Sequence, residues 1–528
     1  MMSTGTPFPT EIPSNTAQMV GGLLRQDSVC RLFGEHGHDL FDEAGLWSLY
    51  EQTGRPGINP VMLTMVLLLQ FVERMPDRQA AEMVVMRMDW KYALRQDLTW
   101  GGFHYSDLCN MRKRLLASDG GQRLFDNLLV YLQAQGYLKA KGRQRVDSTH
   151  VLGAVRNLSR LELVLETLRL ALEALLTADA PWVLAELPSS YLETYVSKRS
   201  DYRLGKDQVE QLMLEAGRDG HWLVQKVTPR PDLAALPEVV LLARVLEEQF
   251  EPDDTPPTDG VPRMPLRKRR DVDACGDVIA TPHDPQARYG QKRQTGWLGY
   301  KLHVTEQLAQ TGNFIVDVRV SAAQQHEATL LVETQQHLAA QHLTPAQLLA
   351  DAAYISGANL AACAAAEIDL IGPPPHGSNK RMGFRLEDFT IDLDTRTATC
   401  PQGRTATAFN PSTRDDVAFH VRFGKQCQAC PAFTQCTTEQ RGRSLEISPH
   451  HALLTRQRQR EHDPAFQRAY RARSGIEATI SELVRAHGAR RCRYRGLHKA
   501  QFQAFIAATA LNLKRLATLT SALHPSMP

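Results

Sequence analysis

Residues 145–150 read R-V-D-S-T-H and residues 347–354 read Q-L-L-A-D-A-A-Y, two short apolar runs that each deliver an aspartate, Asp147 and Asp351. A third stretch, Y-R-A-R-S-G-I-E over residues 470–477, sets Glu477 inside a long helical pattern. A carboxylate among apolar neighbours is costly unless something neutralises it, and a divalent cation held between several oxygens is one such partner. Such a trio suits phosphodiester chemistry.

The chain between these acids fixes their expected relation. A strand is centred on residues 146–151. Leu298, Tyr300, Leu302 and Val304 alternate with other residues, as do Phe314, Val316, Val318 and Val320, and Thr311-Gly312-Asn313 supplies a turn between the two runs. A helix over 327–340 and a short apolar strand over 347–350 follow. Strand, insertion, hairpin, helix, strand is the order of an RNase H-like core, a mixed sheet flanked by helices in the α+β or α/β class. Its first and fourth strands are neighbours, so Asp147 and Asp351 should emerge side by side. Further on, Asp463-Pro464 caps and begins a helix that Gly488 can end. Steps of three and four residues put Tyr470, Arg473 and Glu477 on one face of it, while Glu482 points elsewhere.

Working outward, the 528 residues divide into several regions. Residues 1–40, rich in Thr, Pro, Ser and Gly, read as a loosely ordered arm. Residues 41–138 read as a helical N-terminal domain with one basic edge. The core occupies 139–155 and 284–390. Between them, 156–283 is a mainly helical insertion and linker, whose leucine-rich first helix pairs with 239–250 and whose run E-P-D-D-T-P-P-T-D-G-V-P is an exposed loop. Arg267, Lys268, Arg269 and Arg270 read as a solvated basic loop. Residues 391–450 are a Cys-rich insertion, and 451–520 hold the Glu477 helix and a basic segment.

Lys and Arg number 61 against 58 Asp and Glu, so attraction to a polyanion has to come from local clusters. The longest apolar run, 62–72, is too short to span a bilayer, so no membrane partner is expected. The nine cysteines fit a reducing compartment, the cytoplasm.

These residues resemble the DDE transposases of bacterial insertion sequences, in the group with a Y-R-E-K signature. The likeness runs over most of the chain, through G-R-P-G-I-N-P, V-D-S-T-H, G-Y-K-L-H, A-D-A-A-Y, I-E-A-T-I-S-E-L-V-R, R-Y-R-G-L-H-K and A-L-N-L-K-R-L in that order. It implies that Asp147, Asp351 and Glu477 are a catalytic triad binding two magnesium or manganese ions. Water would cut each element end to free a 3′ hydroxyl, which would then attack target DNA. It further implies that Tyr470 and Arg473 contact DNA or the scissile phosphate. The partners implied are the terminal inverted repeats and target DNA, bound by at least a homodimer at the nucleoid. Two positions depart from the pattern. The lysine two turns after the glutamate is replaced around Leu483, Val484 and Arg485, leaving Arg485 as substitute, and a common glycine is Ala353, which a positive φ would strain. The competing readings are a transposase-derived DNA-binding protein without catalysis and a related nuclease without strand transfer.

Other clusters carry two readings each. Cys400, Cys427, Cys430 and Cys436 fit one structural zinc or four reduced thiols. Arg490, Arg491, Arg493, Arg495 and Lys499 around Tyr494 suit DNA, with stacking by the aromatic ring, or a solvated face. Arg112, Lys113 and Arg114 form a basic helix edge that reads inverted repeats or merely borders a dimerisation unit. Lys292, Lys301 and His303 are expected on an ordinary exposed strand face, and His326 as a helix cap or surface residue.

Overall fold

The computed structural model describes residues 2–3, 5–51, 53–197, 205–252, 266–268, 276–292, 294–309, 312–375, 383–411 and 417–523. Its centre is a six-stranded mixed sheet built from β1 (Arg143–Leu152), β2 (Arg288–Lys292), β3 (Thr295–Leu308), β4 (Phe314–Ala322), β5 (Gln347–Leu349) and β6 (Asp369–Ile371). The path runs β6-β5-β1-β3, and the far edge of β3 is shared by β4 and β2. β1 is antiparallel to β3 and parallel to β5, as an RNase H-like core requires. The hairpin β3–β4 and the helix that follows stand where the alternation and periodicity put them, the helix as a 3-10 turn Glu327–Leu330 and an α-helix Leu331–Ala340. Thr311 of the expected turn lies outside the described residues.

One register irregularity matters. Thr305 pairs with Asp317 but Glu306 pairs with Ile315, so Val316 is an extra residue in β4. Beside this bulge the Ile315 backbone is clamped by Asn512, whose side chain accepts from its N–H at 2.9 Å and donates to its carbonyl at 2.8 Å. Asn512 belongs to the helix Leu497–Leu523, which is apolar on nearly every side and correspondingly buried. This helix packs on β4 and on the helices Pro60–Glu73 and Gly120–Ala134, so the N-terminal helices and the sheet share one apolar core.

The expectation of a loosely ordered arm over 1–40 is corrected. Ser14–Val20 and Val29–Leu40 are helices, and Phe8, Val20, Val29, Leu32, Phe33 and Leu40 are buried. Ser28 caps the second by accepting from the Cys30 N–H at 3.1 Å, and apolar burial offsets the poor local propensity of the segment.

The insertion has its own core. Helices Arg160–Glu186, Lys206–Val227 and Pro237–Gln249 pack Leu168, Leu172, Leu223, Leu242 and Val245 together, with the expected first and last helices in contact. Arg267 and Lys268 lie in a short strand paired with Phe250–Pro252 instead of in a free loop, while Arg269, Arg270 and most of the acidic linker lie outside the described residues. The Cys-rich segment is an antiparallel five-stranded sheet running from Thr390–Asp392 to Ser444–Ile447. Among the described residues no helix is long and apolar enough to cross a membrane.

A charged clamp joins the helix Gly120–Ala134 to β4. His337 stands 2.8 Å from Asp317 and 3.3 Å from Asp126. Burial pulls its imidazole down, but the two carboxylates outweigh this and raise it to about 9. Because the folded value lies above the unfolded one near 6.5, the clamp's contribution should be complete below pH 6.5 and vanish as pH rises through about 9. Thermal melting across that window should show a decline that His337→Gln flattens; an identical pH profile in the variant would contradict the assignment.

Candidate active site

β1 and β5 pair Arg143 with Gln347 and Arg145 with Leu349, and two further residues along each strand bring Asp147 level with Asp351. Asp351 caps the 3-10 turn Ala352–Tyr354, its Oδ1 accepting from the Ala353 N–H at 3.0 Å. Ala353 has no positive φ, so alanine fits here without strain. Burial and then the neighbouring charge of Asp147 push the Asp351 carboxyl above the ordinary carboxylate range, with Arg473 and Lys292 pulling the other way. The two aspartates are thus close enough to repel.

Glu477 approaches from the opposite wall. The helix carrying it is not continuous, which corrects the expected single helix: Pro464–Arg471 is α-helical, Ala472–Gly475 is a 3-10 turn, and Ile476–Ala486 resumes the α-helix. The break has a tertiary cause. Arg145 donates from Nη1 to the Ala472 carbonyl at 2.6 Å, and a Cβ on Gly475 would collide with the same guanidinium. Asp463 caps the first part, as expected, by accepting from the Ala465 N–H at 2.8 Å.

Arg473, on the 3-10 turn, ties the walls together. Its Nη1 donates to Asp147 Oδ2 at 2.9 Å, its Nη2 is 3.8 Å from Glu477, and its guanidinium lies 5.7 Å from the ring centre of Tyr470. Asp147 and Glu477 line one open cavity of about 370 Å³ with Ser148, Lys292, Ser481, Arg485 and Arg490. A cavity lined by both carboxylates and cations suits a metal cation and a phosphate chain. Among the described residues, no three His, Cys, Asp or Glu side chains stand as a group that could already hold a metal ion, and Glu477 is 69% exposed.

Beneath the aspartates the structure differs from the expected exposed strand face. His303 is buried, bonded to the Tyr354 hydroxyl at 2.8 Å and to Ser321 at 3.0 Å, and burial lowers its imidazole to about 4. Lys301 donates to the Gln325 carbonyl at 2.8 Å and pairs with Glu327 at 3.1 Å. Of the three residues read together, Lys292 alone is exposed. His326 caps the following turn.

The basic clusters divide. Arg491, Arg495, Lys499, Arg485 and Lys113 are exposed. Arg490 donates to the His150 carbonyl beside the cavity. Others also touch the protein itself: Arg112 pairs with Asp77, Arg114 lies 4.2 Å from the Tyr50 ring centre, Arg493 lies 4.4 Å from that of Phe71, and Tyr494 packs edge-on against Phe502. Of these four, Arg493 is exposed, and Arg112, Arg114 and Tyr494 are half-buried. The thiols of Cys400, Cys427, Cys430 and Cys436 line one small pocket walled by Phe384, Phe389, Phe423 and Phe433. Burial and the other three cysteines raise the Cys436 thiol, with Arg443 opposing. Cys30, Cys109, Cys363 and Cys492 are single thiols, and Cys275 lies outside the described residues.

Comparison with known proteins adds two matches. Residues 399–517 match the family model for a transposase DDE domain, and residues 23–114 match that for a transposase domain (DUF772). They support a DDE transposase of the insertion-sequence type. The DDE-domain match takes in the four cysteines and Glu477 but neither aspartate, whereas the second match covers the N-terminal helices through Arg114. No curated protein and no solved structure matches the chain.

The arginines should separate by test. Asp77 is raised by burial but brought down to about 2 by hydrogen bonds from Arg112, Gln70 and Cys109, so Arg112→Ala should cost roughly 1–3 kcal/mol in urea unfolding while leaving the salt slope of DNA binding alone. Arg491→Ala should do the reverse, flattening the slope without loss of stability. The opposite pattern would return Arg112 to the DNA surface.

Proposed function

We propose that Asp147, Asp351 and Glu477 hold two magnesium or manganese ions and that the transposase cuts the ends of an insertion sequence and joins them to target DNA. The observation that carries this reading is that parallel neighbouring strands deliver the two aspartates at one level while Arg473 links Asp147 to Glu477 across one cavity. The donor set fits the group: three carboxylates offer only hard oxygen ligands, and the mutual repulsion of two of them is relieved by a cation between. Bound ions of this kind activate an attacking oxygen and stabilise a leaving one.

The chain's own side chains supply the rest. Lys292, Arg485 and Arg490, lining the cavity, hold the phosphate backbone in line, and Arg473, with Tyr470 against it, neutralises charge gathering on the scissile phosphate. Water attacks phosphorus, the bond to the 3′ oxygen breaks, and the freed 3′ hydroxyl then displaces a 3′ oxygen in target DNA, conserving the number of phosphodiester bonds in the joining step. Arg491, Arg495, Lys499 and Lys113 extend the track along terminal repeats and target. Two ends must be joined together, which calls for at least a homodimer on the DNA. The four thiols that line one small pocket would have to draw together to hold one structural zinc, which would then brace the small aromatic core of the Cys-rich sheet.

Asp147→Asn should abolish cleavage of labelled DNA carrying the terminal repeats while leaving its binding intact; full residual cleavage would remove Asp147 from the site. Cleavage by the wild-type chain without joining would favour the nuclease reading, and binding without cleavage the DNA-binding one. Elemental analysis of purified protein should find about one zinc per chain; a folded, zinc-free sample would leave four reduced thiols.

A further inference from the structure

The Glu477 side chain is largely in solvent, 3.8 Å from Arg473, so its position depends on how its helix is seated. That seat is a buried carboxylate no part of the proposed chemistry uses. Glu306, fully buried on β3, directs one oxygen to each wall of the site. Its Oε1 accepts from Arg145 Nε at 2.5 Å, and Arg145 lies directly opposite it across β1 and β3. Arg145 is also two residues from Asp147, hence on the same face of β1. The other oxygen, Oε2, accepts from the hydroxyl of Thr479 at 2.6 Å and from Arg515 at 3.2 Å. Thr479, buried at 2% exposure, is two residues past Glu477.

We infer that Glu306, acting through Arg145 on one side and Thr479 on the other, is the positioning residue that holds Glu477 against Asp147 for shared metal binding. The contact runs between the two walls themselves, and the same guanidinium breaks the helix just before Glu477 by taking the Ala472 carbonyl. Outer groups that orient metal ligands in this way commonly govern metal affinity about as strongly as they govern activity.

The inference rests on the metal-site reading, and the test separates the two. Mn²⁺ binding to the full chain is measured by calorimetry beside thermal melting and DNA affinity. Thr479→Val keeps the shape of the side chain and removes the hydroxyl; Thr479→Ala does so without branched bulk; Thr479→Ser restores it. The first two should weaken Mn²⁺ binding about 10-fold or more, with DNA affinity unchanged, and the serine variant should stay near wild type. Wild-type Mn²⁺ affinity in the valine and alanine variants, whatever their melting temperature, would overturn the inference. If Asp147→Asn also binds Mn²⁺ like wild type, the metal-site reading itself fails; if it loses binding while the Thr479 variants keep it, only the positioning role falls.

Discussion

An ionisable side chain with no solvent exposure constrains everything around it, because burying a carboxylate is expensive unless each oxygen is matched. Glu306 meets that condition only when β1, β3, the Glu477 helix and the long helix Leu497–Leu523 are all in place, supplying Arg145, Thr479 and Arg515. Half-formed, this cluster would be worse than an apolar core. The site is therefore assembled by the whole fold, and its two walls are set relative to each other by interior polar bonds instead of by the exposed carboxylate itself.

The same logic explains how the chain carries two large insertions without disturbing the site. The helices after β1 close around a core of their own, and the Cys-rich segment closes around Phe389, Phe419 and Phe423. Each returns to the sheet at an edge or a loop, so the parallel pairing of β1 with β5 survives. The long apolar helix does the opposite, joining the N-terminal helices to the sheet in one core. Motion of the N-terminal helices against the sheet would expose that core, which ties this region's placement to the sheet.

Much of this was legible because carboxylates interrupt apolar patterns. Asp147 and Asp351 stand out against their strands, the hairpin announces itself by alternation, and the order of elements fixes the sheet. What was hidden depended on partners distant in sequence. Nothing near Arg112 reveals Asp77, so it reads as a surface cation. His303 and Lys301 sit in a strand whose register, not its composition, turns them inward to Tyr354 and Glu327. The helix break at Ala472–Gly475 comes from Arg145, more than three hundred residues upstream, and only Gly475 hints at it. Glu306 itself, a charge amid Val304, Thr305 and Leu308, carried the same kind of signal as the two aspartates and went unread.

The central claim is that three far-separated acids share one divalent ion site. Substituting Fe²⁺ for the natural ion in the full chain bound to a DNA end, then generating hydroxyl radicals with ascorbate, breaks the polypeptide wherever backbone lies beside the metal. The account predicts breaks close to Asp147, Asp351 and Glu477 together, suppressed by excess Mg²⁺. Breaks near the aspartates alone, or at none of the three, would contradict it.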